Sequence, residues 1–255
     1  MPRIMLSGVD VELWEGGDGA PVLFLHGAGG FRPDDPFVGL LSSGHRVIAP
    51  SHPGFGGSAL PDWLDRPDDV SVLYLELLAQ LGHAQLDLIG CSLGGWIAAE
   101  LASMVPERFR RLVLAGPVGV KLGGRDTLDI PDIFAMPAAT VEKLLYHDPD
   151  RHRPDLAKLS DEQLAVMLRN RETTALLTWE PYMHNPKLPH RLHRLRCPTL
   201  LLRGESDGLI SAAYLEGYAR LLPNARTATI AAAGHVPQIE QPAAFAAAVL
   251  AFLNG

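Results

Sequence analysis

Short apolar runs recur along the chain, separated by stretches in which apolar positions fall at helical spacing. The runs occupy residues 22–25, 46–49, 86–89, 112–114, 199–202 and 227–230, and most keep apolar residues at adjacent rather than only alternate positions. Strands covered on both faces of a mostly parallel sheet read this way. Two further runs, residues 4–6 and 11–14, flank Ser7-Gly8 and predict an antiparallel hairpin at the start. The total is about eight strands. Helical patterns at 70–81, 96–104, 212–222 and 242–253 lie between or after them, and Gly82, Pro106 and Pro223 stop the first three.

Residues 116–196 break this rhythm. Glycine and proline punctuate, charges multiply, and helical patterns at 140–146 and 161–174 replace strands. Ser160 and Gln163 stand three apart at the head of the second pattern, the spacing of a capping box. The reading is a core α/β domain in two parts, 1–115 and 197–255, interrupted by a helical cap insertion at 116–196. The fold class expected is α/β: a mostly parallel, about eight-stranded sheet with helices on both faces.

Composition removes several classes of function. The formal net charge is -7 and basic residues do not cluster, which argues against nucleic acid and anionic membranes as partners. The most basic stretch, Arg191 to Arg196, carries Leu192 and Leu195 one helical turn apart and reads as a solvated helix face. No run approaches the roughly 18 apolar residues of a membrane span. The chain begins without a secretory apolar region and has two cysteines, Cys91 and Cys197, so a reducing cytoplasm is the expected location. His147, Asp148, Asp150 and His152 mix imidazoles and carboxylates, but the intervening Pro149 and Arg151 and the irregular spacing point to a solvated cap loop. No metal or cofactor is expected; a small-molecule substrate is.

The candidate chemistry starts at Gly90-Cys91-Ser92-Leu93-Gly94, between a predicted strand and a predicted helix. Gly-x-Ser-x-Gly in that context is a nucleophile elbow, which holds one hydroxyl clear of the sheet. Serine needs a base, and the base needs an acceptor to fix its tautomer. Among ten histidines, His235 follows a glycine immediately beyond the last predicted strand, so sheet topology brings it to the edge that carries Ser92. Glu205 and Asp207 leave the preceding strand, and Asp207 is preferred because it lies farther out on the loop. The backbone N–H of Leu93 and that of Ala28, in the glycine-rich turn His26-Gly27-Ala28-Gly29-Gly30, are the expected oxyanion donors. His26 is read as a loop-orienting partner and Cys91 as a structural thiol.

In the order Ser92, Asp207, His235, together with the turn at His26, the loop Pro53-Gly54-Phe55-Gly56-Gly57-Ser58 and Gly204-Glu205-Ser206-Asp207, the chain resembles the α/β-hydrolase fold superfamily. The resemblance runs almost end to end. It implies a catalytic triad, a two-amide oxyanion hole and a cap over the pocket, but no particular substrate. A serine nucleophile excludes the aspartate-dependent dehalogenases and epoxide hydrolases of that superfamily. The first expectation is a serine esterase acting on a small-to-medium, partly apolar carboxylic ester. The alternative is hydrolysis of a carbon–carbon bond in a vinylogous diketone of the ring-fission type. Enzymes of that branch typically carry a proline in the glycine-rich turn, where this chain has Ala28-Gly29-Gly30-Phe31. Lactonase, thioesterase, acyltransferase or perhydrolase activity and a non-catalytic receptor come lower. Phe134, Met136, Trp179, Tyr182 and Met183 give the cap apolar surface, and Trp179 and Met183, four apart, are the candidate pocket residues if that stretch is helical.

Overall fold

The computed structural model describes all 255 residues. Its strands are β1 (Arg3–Leu6), β2 (Val9–Gly16), β3 (Ala20–Leu25), β4 (His45–Pro50), β5 (Leu86–Cys91), β6 (Phe109–Ala115), β7 (Thr199–Gly204) and β8 (Ala225–Ile230). They form one sheet in the order β1-β2-β4-β3-β5-β6-β7-β8. β2 runs antiparallel to β1 and β4, and every later pairing is parallel.

Successive side chains of a strand point to opposite faces, and here both faces are apolar. Leu23 and Leu25 of β3, Leu88 of β5 and Leu112 and Leu114 of β6 enter one buried cluster. Their neighbours Val22, Phe24, Ile89, Val113 and Ala115 enter another. This double burial makes the strands read as continuous apolar runs. Helices α1 (Pro36–Ser42), α2 (Pro67–Leu81) and α3 (Leu93–Met104) follow β3, β4 and β5. α2 and α3 contribute to the first cluster, α1 to the second.

Between β6 and β7 there is no strand; the helices are α4 (Ala138–Leu145), α5 (Pro149–His152) and α6 (Asp161–Thr178). Ser160 and Gln163 cap α6 reciprocally: the Gln163 N–H donates to Ser160 Oγ at 3.2 Å and the Ser160 N–H to Gln163 Oε1 at 2.9 Å. α6 runs four residues past the predicted end, because Thr174 and Thr178 donate their hydroxyls back to the Asn170 and Thr174 carbonyls instead of disrupting the turn. Both ends of the inserted stretch belong to the core. Val118, Val120, Ile130, Leu188, Leu192 and Leu195 are fully buried in the same cluster as β3 and β5.

That burial corrects the reading of the basic stretch as a solvated helix face. Arg191 lies 2.9 Å from the buried carboxylate of Glu100, and Leu192–Arg194 forms a single 3-10 turn. The chain closes with α7 (Ala212–Ala219), α8 (Pro237–Glu240) and α9 (Pro242–Asn254). No helix is long and apolar enough to cross a membrane.

Candidate active site

Parallel strands deliver their following loops to one edge of the sheet, and the candidate residues meet there. Ser92 sits between the end of β5 and the start of α3 with φ 53° and ψ -114°, a conformation few non-glycine residues adopt. Its N–H donates to the Ala115 carbonyl at 2.8 Å, tying the elbow to β6. The flanking glycines are required by contact: a Cβ at Gly94 would lie 2.1 Å from the Leu25 carbonyl oxygen, and one at Gly90 would lie 2.3 Å from that of Gly94.

His235 follows β8 and places Nε2 2.8 Å from Ser92 Oγ. Its Nδ1 lies 3.0 Å from Oδ2 and 3.2 Å from Oδ1 of Asp207, on the loop after β7. Asp207 Oδ1 also accepts the Leu209 and Ile210 N–H groups at 2.9 Å each, bonds that hold the carboxylate toward the imidazole. Both side chains are buried. Glu205, the other acid of this loop, accepts instead from the Ala232 N–H. With the His235 proton on Nδ1 facing Asp207, Nε2 presents its lone pair to the Ser92 hydroxyl, the arrangement a serine nucleophile needs. Gly116, beyond β6, packs beneath the pair: a Cβ there would lie 3.1 Å from His235 Cε1 and 3.4 Å from Asp207 Oδ2.

The glycine-rich turn after β3 lies against the elbow, since a Cβ at Gly27 would be 3.3 Å from Ser92 Cβ. The Gly30 N–H closes the turn on the Gly27 carbonyl at 3.1 Å. Ala28 therefore occupies the half-buried bend, with its N–H bonded to no protein acceptor. Leu93 is the first residue of α3, where leading N–H groups lack partners within the helix.

His26 braces the turn from below. Its Nδ1 donates to the Gly27 carbonyl at 2.7 Å and its Nε2 accepts the His52 N–H at 2.9 Å. Burial lowers its pKa to about 4, so near neutral pH the ring keeps one donor and one acceptor. Burial also pushes the Cys91 thiol up to about 12, leaving it protonated beside the elbow.

Other residues here were not legible in the sequence. Three docking residues of α6 reach the loops below: Arg169 donates to the Gly56 and Ser58 carbonyls, Asn170 bridges the Gly56 N–H and the Gly29 carbonyl, and Thr173 donates to the Gly54 carbonyl. At the end of α4, the Leu144 and Leu145 carbonyls accept the Gly208 and His235 N–H groups at 3.0 and 2.7 Å. The buried Glu240 carboxylate takes N–H groups from His147, Asp148 and Gly234.

Trp179 and Met183 do not share a helix face. α6 ends at Thr178, and the Met183 N–H returns to the Thr178 carbonyl at 2.8 Å from a left-handed backbone with φ 54°. Pro181, which has no N–H, stands between them and helps end the helix. Met183 is buried in the main cluster, whereas Trp179 is 60% exposed in a shallow groove with Asp65, Arg66 and Leu176. A separate polar cavity of about 250 Å³ borders Trp96 and is lined by Arg66, His184, Lys187 and Arg191, without Ser92 or His235.

A profile of the alpha/beta hydrolase fold family matches residues 20–242. The chain belongs to this family. It is a hydrolase by that membership and by its relatives. A 2-hydroxymuconate semialdehyde hydrolase of Pseudomonas putida is 31% identical, over 98% of this chain and 93% of that protein. A hydrolase of the same name from Pseudomonas sp. strain CF600 is 32% identical over equal shares. A meta-cleavage product hydrolase from Pseudomonas fluorescens IP01 superposes with a TM-score of 0.79 at 21% identity, over 100% of this chain and 97% of that one, a likeness of fold.

Proposed function

We propose that this hydrolase cleaves a carbon–carbon bond in a vinylogous diketone of the ring-fission type, the class to which 2-hydroxymuconate semialdehyde belongs. The observation that carries the reading is the line Ser92 Oγ, His235 Nε2, His235 Nδ1, Asp207, joined by contacts of 2.8 and 3.0 Å. The identity of the bond is supported by the two relatives above 30% identity, both named for that substrate. This reverses the order of the two expectations drawn from the sequence, in which ester hydrolysis came first.

The chemistry needs two events at this site. His235 takes the Ser92 proton as the oxygen adds to the terminal carbonyl, whose oxyanion points at the Ala28 and Leu93 N–H groups. Collapse then breaks the carbon–carbon bond, and the electron pair leaves as an enolate conjugated to the second carbonyl, which takes a proton from His235. Water, activated by the same imidazole, releases the acid from Ser92. Asp207 holds the ring and stabilises its imidazolium.

Ester hydrolysis is the second reading, favoured by the turn Ala28-Gly29-Gly30-Phe31, which lacks the proline typical of the carbon–carbon branch. The same residues would serve with an alkoxide as the leaving group. The deciding experiment measures kcat/KM for 2-hydroxymuconate semialdehyde against a series of p-nitrophenyl esters, with Ser92→Ala as control. Turnover of the semialdehyde at least ~100-fold above the best ester is expected, with a loss of at least ~10⁴-fold in Ser92→Ala. The opposite ranking would transfer the assignment to an esterase, and undiminished activity of Ser92→Ala would remove both.

A further inference from the structure

The turn that carries Ala28 has little of its own to hold it. Ala28, Gly29 and Gly30 offer one methyl group among three residues, and Gly30 adopts φ 85°, so none of the three anchors the turn through its own side chain. Two other groups do. His26 grips the Gly27 carbonyl from the sheet side, and Asn170 of α6 grips the Gly29 carbonyl from the cap side through Nδ2 at 3.1 Å.

Asn170 is a buried polar side chain with both ends used: Oδ1 accepts the Gly56 N–H at 3.0 Å while Nδ2 donates to the turn. Only one orientation of the amide satisfies both partners. A Cβ at Gly30 would lie 2.6 Å from Nδ2, so the turn and the amide are fitted together closely. Arg169 and Thr173, the other docking residues of α6, reach only the loop at 54–58. Among these docking residues, Asn170 alone touches the turn.

We infer that Asn170 is a positioning residue for the oxyanion hole: through the Gly29 carbonyl it fixes the peptide planes of the turn and so aims the Ala28 N–H. The inference rests on the reading of Ser92 as nucleophile and Ala28 as oxyanion donor. An oxyanion donor acts only if it points where the charge develops, and losing one outright costs about 100- to 1000-fold in kcat. Loosening its support costs a part of that.

Asn170→Asp keeps an oxygen toward Gly56 and replaces the donor facing Gly29 with an acceptor; Asn170→Ala removes both bonds without adding charge. Thr173→Val cuts a neighbouring docking bond that does not reach the turn. The probe is an ethyl fluorophosphonate, whose attack at Ser92 places a phosphoryl oxygen in the oxyanion hole whatever the natural substrate. Second-order inactivation rates are compared with kcat and KM on the preferred substrate, and urea melts confirm folding.

Both Asn170 variants are expected to lose about tenfold in inactivation rate and in kcat, with KM within about twofold, while Thr173→Val stays within about twofold of wild type. Wild-type rates in both Asn170 variants, or an equal loss in Thr173→Val, would overturn the role. So would a loss confined to KM. Labelling that persists in Ser92→Ala would instead overturn the underlying assignment of the site.

Discussion

Glu240 offers the sharpest test of how the inserted stretch after α4 is joined to the loop that carries His235. Its buried carboxylate accepts the His147 N–H at 2.8 Å and the Asp148 N–H at 3.2 Å on Oε1, and the Gly234 N–H on Oε2. Gly234 precedes His235, and the other two residues follow α4. Glu240→Ala leaves three amide donors without this acceptor. Only the Gly234 donor is stranded away from water, since His147 and Asp148 are exposed residues, so the loss is about 2 kcal/mol. For a chain of this size that lowers Tm by roughly 4–8 °C. Glu240→Gln retains one carbonyl oxygen. It can serve the His147–Asp148 pair or Gly234 but not both sides, since its NH2 then faces an N–H, so the loss is about 1 kcal/mol. Urea unfolding at pH 7 reads both values. The order wild type, Gln, Ala in midpoint is required; a Glu240→Ala variant within about 0.5 kcal/mol of wild type would refute the argument that this carboxylate ties the inserted stretch to the His235 loop.

Two further outcomes follow from contacts at the site. Gly116→Ala adds a Cβ 3.1 Å from His235 Cε1 on a residue at φ 52°, so about 1 kcal/mol of backbone strain and a small displacement of the imidazole are expected. Steady-state kinetics are expected to show kcat down by about tenfold with a smaller change in KM; a stable variant with wild-type kcat would count against the close packing described. His26 contributes pH-dependent stability. Its pKa falls from 6.5 to about 4 on folding, chiefly through burial, so the unfolded chain binds the proton more tightly. The contribution is fully present above about pH 6.5 and is lost as pH drops toward 4, to at most about 3 kcal/mol. The difference in unfolding free energy between wild type and His26→Gln, measured from pH 7 to 4, is expected to shrink through that window, and a flat difference would contradict it.

The strands were legible wherever both faces are buried, because continuous apolar runs such as Val22 to Leu25 have few other uses. β8 has five of its six residues outside the buried class, and only part of it was read. α1 was missed: its seven residues present three buried side chains, Phe37, Val38 and Leu41, too few to show a period. α3 begins at Leu93, three residues before its apolar pattern is recognisable, since Gly94 and Gly95 carry no side chain to mark a face. The meeting of Ser92, Asp207 and His235 was readable because parallel topology sends the ends of β5, β7 and β8 to one edge. Asn170 and Glu240 left no such trace. Their partners are backbone amides and carbonyls, groups that every position supplies, so nothing in the sequence marks the pairing.

The same contrast bears on how this enzyme selects its substrate. In the proposed mechanism, attack by Ser92, proton transfer through His235 and an oxyanion facing Ala28 and Leu93 are common to ester and carbon–carbon bond cleavage, so no substitution in that set can distinguish them. The distinction lies in the leaving group: an alkoxide needs only a proton, whereas a conjugated enolate forms only when the bond that breaks is aligned with the p orbitals of the second carbonyl's π-system, out of its plane. In the proposed mechanism, orienting that distant half of the substrate is assigned to residues beyond the sheet edge, where α4 and α6 are fastened over the loops by the Leu144 and Leu145 carbonyls and by Arg169, Asn170 and Thr173. These anchors fix the cap in register with the oxyanion turn and with the His235 loop. A cap side chain that grips the remote carbonyl therefore acts on a frame already aligned with Ser92, and selectivity between the two reactions is expected to change with cap substitutions that leave the phosphonate reaction at Ser92 untouched.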